Sequence, residues 1–137
     1  MTYEKSCDAI IFTRANDEIK FVLVQQMEGF YGFPKGHAEF GETEKETALR
    51  EIFEEVHLTP TIIDGFVTID EHAIPNKKDV IKKVVYFLAE YENQKIIFQK
   101  DELLSASLVS YDEAMNMLTY ESSKRILTEA INFLANR

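Results

Sequence analysis

Apolar and polar residues fall along this chain in short, well-separated runs. Residues 9–13 and 21–25 are apolar or β-branched and flank the turn-forming Ala15-Asn16-Asp17, which predicts two largely buried strands, as a hairpin or as adjacent strands. Residues 61–69 and 84–91 predict two further strands, the second built on Val84-Val85-Tyr86-Phe87-Leu88, with the polar loop Asn76-Lys77-Lys78-Asp79 between them. Residues 96–98 and 106–109 are expected to add edge pieces. Helical spacing appears elsewhere. Residues 43–56 set Leu49, Ile52, Phe53 and Val56 on one face, with Thr43 as N-cap and Glu46 as its capping-box partner. Residues 122–135 repeat Ile126, Leu127, Ala130, Ile131 and Leu134 as a core-facing stripe. A shorter helix is expected over 111–118, with Asp112 and Glu113 in the first turn where the helix dipole favours acids.

Composition narrows the class. With 137 residues and 45% hydrophobic content, one domain spanning 1–137 with one core is expected. There is no internal repeat or Pro/Gly-rich linker, and Pro34, Pro60 and Pro75 are scattered at element boundaries. No apolar run is long enough for a membrane span, and residues 1–8 are too polar for a secretory segment, so a cytoplasmic protein with no membrane partner is expected. The single cysteine, Cys7, precedes an apolar run and reads as a core thiol. A formal net charge of −9 argues against an extended nucleic-acid interface, which needs stripes of Lys and Arg. An acidic chain that handles polyphosphates must instead recruit divalent cations to a point where carboxylates converge.

Such a point lies on the first helix. At about 100° per residue, Glu51, Glu54 and Glu55 fall within one arc, away from the apolar face. Like charges at this spacing cost an isolated helix roughly 0.2–0.5 kcal/mol a pair, so they are either a solvated face or a site. Oxygen ligands without histidine or thiolate suit Mg²⁺, with Mn²⁺ possible, rather than zinc. Arg50 beside the ridge can pair with Glu46 one turn back, or with Glu42 if the preceding loop folds over, and is assigned an orienting role.

The spacing Gly36, five residues, Glu42, seven residues, Arg50-Glu51-Ile52-Phe53-Glu54-Glu55-Val56-His57-Leu58 resembles the signature of the Nudix hydrolase family. One position departs, because His57 stands where the family usually has a glycine that closes the helix in a left-handed conformation. His57 then reads as a C-cap, or in a sharper version as an alternative metal ligand. The resemblance implies an α/β (α+β) fold with a mixed sheet sandwiched between helices. It also implies that Glu54 and Glu55 bind metal, that Glu51 is a ligand or the base acting on the attacking water, and that backbone at Gly36 approaches an ion.

Beyond the signature, Tyr31-Gly32-Phe33-Pro34-Lys35-Gly36-His37 and Lys82-Lys83-Val84-Val85-Tyr86-Phe87-Leu88-Ala89-Glu90 look like the asymmetrical diadenosine tetraphosphate hydrolases of that family, almost end to end. That comparison implies that Glu102 completes the acidic set, that Lys35, His37 and Lys82 or Lys83 contact phosphates, and that Tyr31 and Tyr120 stack on adenine. Tyr31 and Phe33 stand where tryptophan and a second proline are common, and the loop before Lys82 carries no obvious stacking tyrosine. The partner implied is a small nucleotide. Triphosphate cleanup and RNA 5′-pyrophosphate removal are the nearest enzymatic alternatives, and an inactive nucleotide-binding module is the non-enzymatic one. Oligomeric state has no signature in the sequence.

Overall fold

The computed structural model describes residues 2–74 and 76–137; Pro75, expected at an element boundary, lies outside the described residues. The described chain runs β1 (Thr2–Ala15), β2 (Glu18–Gln26), β3 (Tyr31–Gly32), α1 (Glu44–Val56), β4 (Thr61–Ala73), β5 (Val80–Glu90), β6 (Leu103–Val109), α2 (Tyr111–Met117) and α3 (Glu121–Ala135). The strands form a mixed sheet in the order β3-β2-β1-β5-β4, with β6 on β2. Its β1–β5 pair is parallel and the other pairs are antiparallel.

The hairpin forms where the turn residues place it: Asn16 and Asp17 both take positive φ, 52° and 65°, the twist that suits a two-residue connection between right-twisted strands. β1 is longer than its apolar run because β5 pairs with it from Thr2 to Phe12. Pairing of β1 with β2 is confined to residues 12–15 against 18–21, so the two strands diverge below that point. Into the gap comes the segment before α1. Gly36 accepts a hydrogen bond from the Cys7 amide at 3.0 Å, and His37 bridges Ser6.

Alternation along β1 and β5 divides the core in two. Ile10, Phe12, Val84, Tyr86 and Leu88 pack with Ile126, Leu127 and Ala130 of α3 and Ala114 of α2. Cys7, Ala9, Ile11, Val85 and Phe87 pack on the opposite face with Ala48, Ile52 and Val56 of α1. Cys7 is a fully buried thiol, as its neighbourhood in the sequence predicts. No described helix is long and apolar enough to cross a membrane.

Two expectations need correction. Residues 96–98 form no strand; the Ile97 and Gln99 amides donate to the carbonyls of Val56 and Glu55, at 3.1 and 3.0 Å, satisfying acceptors that the end of α1 leaves open. Phe53 is not core: it is 45% exposed, and the buried stripe of α1 is Thr47, Ala48, Ile52, Val56 and one acid, Glu55.

Candidate active site

α1 begins and ends on its own chemistry. Thr43 and Glu46 close a capping box, which commits Glu46 to the Thr43 amide and leaves Arg50 to the preceding loop. The helix closes on His57, at φ 62° and ψ 30°, whose amide donates to the Phe53 carbonyl and whose ring lies 4.6 Å from that of Phe53. His57 is thus the C-cap.

Arg50 is the hub of the site. Its Nε and Nη2 donate to the two oxygens of Glu42 at 2.6 and 3.1 Å, and Nη2 also donates to the His37 carbonyl at 2.8 Å. Nη1 serves Glu51 at 2.7 Å and Glu54 at 3.0 Å. One guanidinium thereby pins the loop, through Glu42 and His37, and aligns two of the ridge acids, a task its planar fork suits. Glu42 also accepts from the Glu39 amide and the Thr47 hydroxyl, at 2.8 and 3.0 Å. Arg50 and these donors hold its carboxyl at about 2.

The three ridge acids sit in different environments. Glu54 is half-exposed. Glu51 is mostly covered and lies against Gly36, where an added Cβ would fall 1.9 Å from the Glu51 carboxyl carbon. Burial pushes the Glu51 carboxyl up, Arg50 pulls it back, and Glu54 and Glu102 push again. Glu55 is 5% exposed and takes one hydrogen bond, from the Lys35 amide at 3.0 Å. Burial, with Glu51 and Glu102 adding to it, pushes its carboxyl up to about 8. Glu102 follows the turn that Gln99 closes, and its charge is felt by both Glu51 and Glu55.

This donor set fits a hard divalent cation. It is all oxygen, it gathers more negative charge than Arg50 offsets, and Glu55 is buried with one neutral amide as its partner. Among the described residues no three acids, histidines or cysteines already stand in a geometry that could hold a metal ion, because Glu51 and Glu54 are turned toward Arg50. The Gly36 carbonyl is engaged by Cys7 and retains a second lone pair.

A cleft of about 640 Å³ meets the ridge through Lys35, whose amide is bonded to Glu55; Glu51, Glu54, Glu55, Glu102 and Gly36 are not among its lining residues. Lys35 and Lys82 line it, as do Tyr31 and Tyr120, so four of the candidate substrate residues meet there. His37 and Lys83 are not among the lining residues. The His37 Nδ1 faces the Lys5 carbonyl at 3.2 Å, and Lys83 alternates onto the other face of β5 from Lys82. Sequence reasoning missed Phe30, whose ring lies 5.4 Å from that of Tyr120, and Asp8, Asp70, His72 and Tyr86 in the same wall. For Asp70 and His72 the i, i+2 spacing on a strand was the available signal. The His72 Nδ1 lies 3.2 Å from the Asp70 carboxylate.

A chain with this sheet, this capped helix and this Arg-centred ridge belongs to the Nudix family: the NUDIX domain model matches residues 4–130. It is a Nudix hydrolase, a family that uses divalent metals to cleave phosphoanhydrides. Among curated proteins it is 32% identical to the asymmetrical bis(5′-nucleosyl)-tetraphosphatase of Rattus norvegicus, over 96% of each chain. Among solved structures it is similar to a binary complex of the C. elegans Ap4A hydrolase, with a TM-score of 0.89 and 25% identity over 98% of this chain and 99% of that one. The NUDIX domain of Shewanella oneidensis NrtR shares the fold, with a TM-score of 0.78 at 17% identity, over 98% of this chain and 90% of that one.

Proposed function

We propose that this chain, acting as one Nudix domain, hydrolyses dinucleoside polyphosphates with Mg²⁺ as the preferred ion, converting diadenosine tetraphosphate and water to ATP and AMP. The observation that carries the reading is the cleft that meets the ridge through Lys35, in which two lysines, Lys35 and Lys82, share a wall with Phe30, Tyr31 and Tyr120. The end-to-end likeness to the tetraphosphatases supports it.

In this reading Glu51, Glu54 and Glu55 hold the cation, with Glu102 and the Gly36 carbonyl completing the donors. The ion, when bound, neutralises phosphate charge and lowers the pKa of the attacking water. Lys35 and Lys82 bind the phosphate chain as cationic donors. Tyr31, Tyr120 and Phe30 offer ring faces to an adenine. Glu51, mostly covered and held by Arg50, accepts the proton of the water as it adds to phosphorus and the anhydride P–O bond breaks.

Incubation of the protein with Mg²⁺ and diadenosine tetraphosphate should yield ATP and AMP in equal amounts. A panel containing nucleoside triphosphates and 5′-triphosphorylated RNA separates the neighbouring activities; turnover of one of these without tetraphosphate cleavage overturns the assignment. Glu54→Gln should lower turnover by about 10²-fold or more while melting like the parent, because Glu54 is solvent-facing and contributes little to the core.

A further inference from the structure

The mechanism above leaves one buried acid unused. Asp8 on β1 is 3% exposed and lines the cleft, and its Oδ1 has no hydrogen-bond partner among the described residues. Ser6, two residues back on the same side of the strand, has a buried hydroxyl that makes no well-formed hydrogen bond and eases the Asp8 charge less than either lysine does. In the parallel pairing Glu4 stands opposite Lys82 and Asp8 opposite Tyr86, so Asp8 and Lys82 project from one face of the sheet. Lys35 enters the same cleft from the loop that fills the gap between β1 and β2, its amide tied to Glu55.

A buried carboxylate is unfavourable unless cations or donors reach it. Here the acceptor is fixed on a central strand, whereas the two nearby cations sit on long, rotatable stems. Two ammonium groups in one cleft repel, and an acid in the same wall offsets that repulsion. We propose that Asp8 is a positioning residue, which draws the Lys35 and Lys82 ammonium groups together at the cleft wall so that both engage one stretch of a polyphosphate chain. This rests on the reading of the cleft given under Proposed function. The charges support the geometry: burial drives the Asp8 carboxyl well up, and Lys35 and Lys82 are the largest influences pulling it back. Burial and Lys35 lower Lys82, and Asp8 and Glu4 oppose them. Glu55, the other acid that Asp8 feels, is held at its own station by the Lys35 amide.

Removing a negative charge beside an anion site should by itself tighten anion binding, so the positioning role predicts a change of opposite sign. Asp8→Asn, nearly isosteric, should raise KM for diadenosine tetraphosphate about tenfold and leave kcat within about twofold. In a Lys82→Met background, where one of the two partners is gone, the same change should add little, so the two effects are strongly non-additive. Should Asp8→Asn fail to fold by thermal melting, the smaller Asp8→Ser carries the same comparison. If Lys82→Met alone leaves KM unaltered, the phosphate reading of the cleft falls and the proposal with it. If Lys82→Met raises KM but loss of the Asp8 carboxylate lowers KM, leaves it unchanged or adds in full, the cleft reading stands and the positioning role is overturned.

Discussion

Replacing Gly36 with alanine tests whether Glu51 must lie where it does. The new Cβ would stand 1.9 Å from the Glu51 carboxyl carbon and 2.3 Å from both of its oxygens, whereas ordinary contact begins at 3.4 Å. The obstacle is the free end of a side chain, so Glu51 swings away and the backbone stays. In doing so it gives up its 2.7 Å bond to Arg50, which keeps Glu42, Glu54 and the His37 carbonyl. Loss of that one bond costs about 1 kcal/mol, and the lower entropy of an alanine-containing unfolded chain returns about 0.4–1 kcal/mol, so net stability should move by about 1 kcal/mol or less. Turnover should suffer far more. A catalytic group displaced by an ångström or more loses about 10²-fold, equivalent to about 2.7 kcal/mol of transition-state stabilisation. Urea unfolding followed by circular dichroism, alongside steady-state release of AMP, measures both quantities. A folded variant with turnover within about threefold of the parent would refute the reasoning, because Glu51 would then be dispensable or tolerant of displacement.

Three further changes probe separate parts of the site. With the Glu55 carboxyl raised to about 8 against an ordinary 4.5, the folded protein holds that proton more tightly than the unfolded chain. This contribution to stability is present in full below about 4.5 and is lost as pH climbs to about 8. In chelator-treated protein, Glu55→Gln should flatten that decline and be the more stable of the pair at pH 8; an unchanged urea midpoint profile would show that Glu55 is not desolvated. Arg50→Lys exchanges a fork that serves four acceptors for one ammonium and should lower kcat/KM by about 10²-fold, read by steady-state kinetics, with wild-type rates counting against the hub. His57→Gly relieves a left-handed backbone at φ 62°, and by chemical denaturation should stabilise the chain by about 0.5–1 kcal/mol without altering turnover; a loss of stability would mean that the contact with Phe53 outweighs the strain.

How much was legible in the sequence follows from how local each feature is. The β1–β2 hairpin, the capped α1 and the stripe of α3 depend on residues within a few positions of one another, and periodicity with turn and cap chemistry finds them. The polar first half of β1 does not announce itself, because what makes it a strand is parallel pairing with β5, some 78 residues away. For the same reason Asp8 reads as an ordinary polar residue until β1 and β5 are laid side by side. The spacing of Glu51, Glu54 and Glu55 puts them on one ridge but is silent on which of them turns inward. That is decided by how α1 rolls against Ala9, Ile11 and Phe87, and the roll buries Glu55 while leaving Glu54 and Phe53 in solvent. Arg50 had two carboxylates within reach in sequence, and the capping box settled the choice by occupying Glu46. The cleft draws its wall from segments near residues 8, 30, 70, 82 and 120, a convergence no local pattern contains.

The distribution of Arg50's bonds explains why this ridge is poised for a cation although the chain has net charge −9. Two of the three guanidinium nitrogens are committed to the loop side, to Glu42 and the His37 carbonyl, and Glu42 keeps its charge down to about 2. Only Nη1 is left for Glu51 and Glu54 together, and Glu55 has a neutral amide for company. The acids are therefore neutralised unequally, with the deficit greatest at the most buried of them. In the proposed function a divalent ion would relieve that deficit where desolvation makes it largest, and the strong Glu42 bonds would keep Arg50 in place were Glu51 and Glu54 to turn toward the ion. Binding an ion and keeping the loop docked are thus separable tasks, carried by opposite edges of one planar group.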